Sequence, residues 1–143
     1  MGGTSTKVLG GEDWPRPLNL LCALLAGNPE MAEAAASRMT DAKWDSFTEL
    51  VIARHRVAPA IAEAVRASGV ASPGPVLQTI RAEARANGFA ALAQKNESLR
   101  LAGVLEAVGV RAIWLKGWPL AEQLYGAPGL RPSTARTGCC WSA

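Results

Sequence analysis

The sequence predicts a mainly α protein, an N-terminal helical bundle over residues 18–108 followed by a short β-α unit over residues 109–132. Three observations carry this. Hydrophobic residues make up 49% of the 143 residues, and much of that share is alanine, which with Leu, Glu and Arg favours helix. Apolar residues recur at steps of three and four through most of the chain as far as Val108. The first short apolar run bounded by turn signals, Val110-Arg111-Ala112-Ile113-Trp114-Leu115, appears only after Gly109.

The elements follow in order. Residues 1–17 are Gly-rich and polar, end in Trp14-Pro15-Arg16-Pro17, and are expected to form a flexible lead-in. Leu18, Leu20, Leu21, Leu24 and Leu25 give a first helix, closed by Gly27-Asn28-Pro29. An Ala-rich helix runs from Glu30 to about Arg38. Thr40 or Asp41 is placed to cap a third helix carrying Trp44, Phe47, Leu50, Val51 and Arg54 on helical spacings. His55-Arg56-Val57-Ala58-Pro59 is a junction, because Pro59 biases Ala58 away from helical geometry. A fourth helix through Ile61 and Val65 ends near Gly69. Pro75 opens a long fifth helix reaching Val108, with Leu77, Ile80, Ala84, Gly88, Ala91, Leu99, Ala102 and Leu105 expected on its apolar face. Gly109 closes it. Trp44 and Trp114 read as core residues.

Composition excludes several classes. The net charge is only +3, and the fifteen Lys and Arg form no block, so a nucleic-acid partner is not expected. Arg81, Arg85 and Arg100 alternate with Glu83, Glu97 and Glu106, which reads as a solvated face. Three cysteines and one histidine make neither a disulfide framework nor a zinc set. His55 reads as a helix-end residue interacting with the terminal dipole. The run Leu18 to Ala26 is too short to span a bilayer and no secretory signal is visible. A cytoplasmic protein with no membrane partner is expected, and the wealth of Ala, Gly and Arg reads as bacterial.

The most informative stretch is Leu115-Lys116-Gly117-Trp118-Pro119-Leu120, continuing through Tyr125-Gly126 to Leu130-Arg131-Pro132. It reads as strand, phosphate-sized turn, helix and second turn. Gly117 lacks a Cβ and lets backbone amides close on a phosphate. Lys116 offers a compact positive charge, and Arg131 a bidentate fork for phosphate or carboxylate. Their bland counterparts are a plain strand-to-helix turn, a solvated lysine and a surface arginine. Trp118 and Tyr125 read as packing residues rather than base-stacking ones.

This constellation resembles the opening of the uncharacterised nucleotidyltransferase family within the DNA polymerase β-like superfamily. Ala53-Arg54-His55-Arg56-Val57-Ala58-Pro59 and Asn96-Glu97-Ser98-Leu99 are similar too, so the likeness covers roughly Leu18 to Pro132. It implies a truncated β-α unit of an α+β nucleotidyltransferase core after the bundle. It also implies that Lys116, Gly117 and Arg131 bind a nucleoside triphosphate, with Mg²⁺ as cofactor and an unknown acceptor in intact relatives. Family catalysis is implied to need carboxylates that hold two Mg²⁺ ions beyond the Leu-Arg-Pro turn. Here the last aspartate is Asp45 and Glu122 is the only acid after Glu106. No bound Mg²⁺ and no catalytic residue are therefore expected, and the activity is expected to be absent.

Residues 133–143 are expected to be an irregular, disordered tail. Read two bases along, the codons of Gly138-Cys139-Cys140-Trp141 spell an apolar run, so the tail from about Thr134 reads as an out-of-frame continuation of a longer gene. A naturally short protein is the plainer alternative. The strand Val110 to Leu115 has no visible sheet partner, so poor solubility or self-association through its open edges is expected. The alternative function is a non-catalytic helical protein-interaction module.

Overall fold

The computed structural model describes residues 15–114, 117–130 and 139–142. The order is α1 (Arg16–Leu25), α2 (Pro29–Ala36), α3 (Asp41–Glu49), a π-helical turn (Leu50–Arg54), α4 (Ala58–Ser68), α5 (Gly74–Ala107), β1 (Arg111–Trp114), α6 (Trp118–Tyr125), a 3-10 turn (Pro128–Leu130) and β2 (Cys139–Ser142). The mainly α expectation holds. No helix among the described residues is long and apolar enough to cross a membrane.

Local chemistry sets the boundaries. Helix α1 begins at Arg16 rather than Leu18, since Pro17 in its first turn carries the fixed φ of a helix start. The last residues of the expected lead-in are thus helical, and residues 1–14 lie outside the described residues. At its other end Asn28 N–H donates to the Ala23 carbonyl (3.0 Å) and Gly27 N–H to Leu24 (3.1 Å), the Schellman pattern that satisfies terminal carbonyls. The Asn28 side chain then caps α2 by accepting from the Met31 amide at 3.0 Å. Val110 and Gly109 close α5 with the same pair of bonds, to Leu105 and Glu106 at 2.9 and 3.0 Å. Thr40 occupies the N-cap of α3 but makes no side-chain capping bond.

Helix α3 does not stop cleanly. It widens into the π-helical turn, where His55 N–H reaches the Leu50 carbonyl at 2.9 Å, and Arg56 follows with φ of 54°. Helix α4 starts at Ala58 with Pro59 in its first turn. The junction expected at His55–Pro59 is real but ends two residues earlier, at Val57, because proline is as well suited to the first helical turn as to a break.

Helices α1 to α4 and the first turns of α5 enclose one core. It contains Leu20, Leu21, Leu24, Trp44, Phe47, Val51, Ile61, Val65 and Ile80, with Ala23, Ala32, Ala36 and Ala58 at close approaches. The Trp44 and Phe47 rings meet edge to face, centroids 5.6 Å apart, a geometry favoured by the ring quadrupoles. Trp44 is a core residue as expected, whereas Trp114 is only half-buried.

Two expectations need correcting. Strand β1 is not without a partner: it pairs antiparallel with β2, Arg111 opposite Ser142 and Trp114 opposite Cys139. Part of the tail expected to be irregular is therefore extended and paired, since an apolar strand with unmet backbone groups is relieved by any extended segment alongside it. On α5 the stripe changes phase after Ala91: Ser98 is fully buried and Leu99 is half-exposed.

Candidate functional site

The motif Lys116-Gly117 falls where β1 gives way to α6. Gly117 is the N-cap of α6, with φ of 95° and ψ of −144°, a region of backbone space open essentially to glycine alone. A Cβ there would meet nothing within 4 Å, so conformation, not crowding, demands glycine. The first turn of α6 holds no acidic residue, and no side chain caps it. Its amide dipoles therefore favour an anion without internal competition. Lys116 and Arg131 lie outside the described residues. Their neighbours Gly117 and Leu130 belong to elements that pack together, α6 and the 3-10 turn, and the turn also packs on α5.

Behind α6 lies a polar cluster that sequence reading missed. The Lys95 ammonium contacts both Glu122 oxygens, at 2.8 and 3.1 Å, and sits 4.8 Å from the centroid of the Trp118 ring. Trp118 also packs against Trp114, centroids 6.4 Å apart. Its indole Nε1 and the Ser98 Oγ are buried and have no hydrogen-bond partner among the described residues. The signal was present in the four-three-four stepping from Ala91 through Lys95 and Ser98 to Ala102. An apolar scan skips it because two of those residues are polar.

Trp118 is a packing residue as expected. Tyr125 is not, being 52% exposed. It lines a cleft of about 690 Å³ together with Leu25, His55, Arg56, Val57 and Leu130. His55 is exposed at the end of the π-helical turn, as expected for a helix-end residue. Arg81, Arg85 and Arg100 are exposed, and Arg100 donates to Glu97 at 2.9 and 2.7 Å, in keeping with a solvated face.

Helix α6 offers a metal ion one carboxylate, Glu122. Mg²⁺ takes hard oxygen ligands and is commonly bound through one or two carboxylates. Lys95 already engages both Glu122 oxygens. Among the described residues no three His, Cys, Asp or Glu side chains come together.

A helical region thus leads into a strand-glycine-helix unit. Residues 40–134 match the family described as uncharacterised nucleotidyltransferase, and the chain belongs to that family. No curated protein and no solved structure matches it.

Proposed function

We propose that the protein binds a nucleoside triphosphate through Lys116, Gly117 and Arg131, and that residues 1–143 by themselves do not transfer the nucleotidyl group. The observation that carries the first half is Gly117: its glycine-only backbone caps a helix whose leading amides have no internal anion. The γ- and β-phosphates would face the Trp118 and Leu120 amides, Pro119 having none. Lys116 supplies the neighbouring charge, and Arg131 grips a second phosphate oxygen pair. Support for the second half is the donor set. Nucleotidyl transfer depends almost wholly on positioning and charge neutralisation, and the only acid beyond Glu106 is Glu122, which is committed to Lys95.

Calorimetry with ATP tests the reading. Binding should be measurable with and without Mg²⁺. Lys116→Ala should weaken it by about tenfold, the worth of one charge-assisted contact to phosphate. No transfer to water or added acceptors should be detected. Absence of binding sinks the first half, and Mg²⁺-dependent turnover sinks the second. A second reading, a helical protein-interaction module, is favoured by the exposed line Phe89, Leu92 and Leu99 on α5. It gains if ATP does not bind.

A further inference from the structure

We infer that the cleft between α4, with the His55–Val57 junction before it, and the end of α6 is a binding site for a small organic anion with an apolar or aromatic body. Gly117 is not among the described residues that line it, and the variants below separate this site from the nucleotide reading. Its volume of about 690 Å³ is in the range of pockets that enclose small molecules. Leu25 and Tyr125, on opposite sides in sequence, are 51% and 52% exposed although both line it. No described residue covers their apolar surface, and Val57, Ala60 and Ala64 continue that wall.

Charge selects the ligand's sign. Among the described residues, the titratable side chains lining the cleft besides Tyr125 are His55, Arg56 and Glu63. Glu63 is already engaged, because Arg66 donates to both of its oxygens, which holds its carboxyl below the usual carboxylate range. Arg56 makes no ion pair among the described residues. A guanidinium with a planar donor fork, beside an imidazole N–H, is a receptor for a carboxylate, sulfonate or phosphate group.

The backbone bringing these two residues to the cleft is unusual twice over. The π-helical turn ends at Arg54, and Arg56 is the one non-glycine residue with positive φ among those described. π-Helical insertions and left-handed non-glycine residues both cost stability and gather at binding sites.

Fluorescence titration of the whole chain with anilinonaphthalene sulfonate, and with phenylnaphthylamine, which lacks only the sulfonate, tests the proposal. The anion should bind one-to-one and about tenfold more tightly than the neutral probe, the worth of one charge-assisted contact. Arg56→Gly relaxes the left-handed backbone while removing the charge, and should erase most of that difference. Leu25→Ala, at an exposed wall, should weaken both probes alike. Lys116→Ala should leave both unchanged, which separates this site from the nucleotide site. Equal affinity for the two probes, or an Arg56→Gly variant that still prefers the anion, overturns the proposal. So does unsaturable binding insensitive to Leu25→Ala.

Discussion

From Leu20 to Ile80 the apolar residues of five helices close on one another, whereas from Arg81 onward only Ala91, Ser98 and Ala121 are buried among the described residues. Both regions have helical periodicity and ample hydrophobic content. The first has several short helices that fold back and offer each stripe a partner. The second is dominated by one helix of 34 residues, whose packing partners outside the bundle, among the described residues, are only β1, the short α6 and a 3-10 turn. Phe89 is 73% exposed and Val108 is 70% exposed. Amphipathicity marks a side for burial, but stabilisation requires a second surface to remove that side from water.

The sharpest way to break this comparison is a pair of truncations. Phe47→Ala, at a residue 1% exposed, should cost about 3–5 kcal/mol in a chemical denaturation experiment. Phe89→Ala should change stability by no more than about 0.5 kcal/mol. Similar losses at the two sites would show that the outer half of α5 is covered after all.

A smaller effect is expected at a close backbone approach within the second region. A Cβ on Gly129 would lie 3.0 Å from the Gly88 Cα, with backbone on both sides and nothing flexible to yield. Gly129→Ala should therefore cost about 1–3 kcal/mol and shift the 3-10 turn away from α5. A wild-type melting temperature in this variant would mean that the turn is not seated there.

The Lys95–Glu122 bridge ties α5 to α6, with side chains 28% and 42% exposed. Solvent screening limits it, so Lys95→Met should cost no more than about 1 kcal/mol, including the lost contact with Trp118. The penalty should shrink in high salt; a salt-independent loss would assign the effect to packing instead.

The smallest change concerns pH. Hydrogen bonds from Arg66 and Arg100 lower the carboxyl pKa values of Glu63 and Glu97. Each folded-state value lies below the unfolded one. The contribution is therefore present above the ordinary carboxylate range and is lost as pH falls through the lowered values. Glu97→Gln should flatten the acid side of the stability profile slightly, and a steeper profile would contradict the sign.

How much of this was legible follows from the reach of each signal. The Gly27-Asn28-Pro29 connector, the Gly109 stop and the Pro75 start are encoded within one helical turn, and all appear at their places. The phase of α5 beyond Ala91 was misread because the positions turned inward there are the half-buried Lys95 and the buried Ser98, polar residues that an apolar stripe does not include. The pairing of β1 with β2 was missed because Cys139-Cys140-Trp141-Ser142 has no alternating pattern, yet backbone hydrogen bonding asks only for an extended chain in reach. In the site, Gly117 was legible from its position between a strand and Pro119. The cleft was not, since nothing local links Arg56 to Tyr125.

By itself the sequence determined the order of the elements, their starts and stops, and membership of the nucleotidyltransferase family, because turn chemistry and motif spacing are written in neighbouring residues. Tertiary structure alone decided which half of α5 is sheltered, that Lys95 meets Glu122, and that His55 and Arg56 share a cleft with Leu25 and Tyr125. Those outcomes depend on how helices approach across tens of residues of chain, and side-chain burial is settled only when the opposing surface is in place.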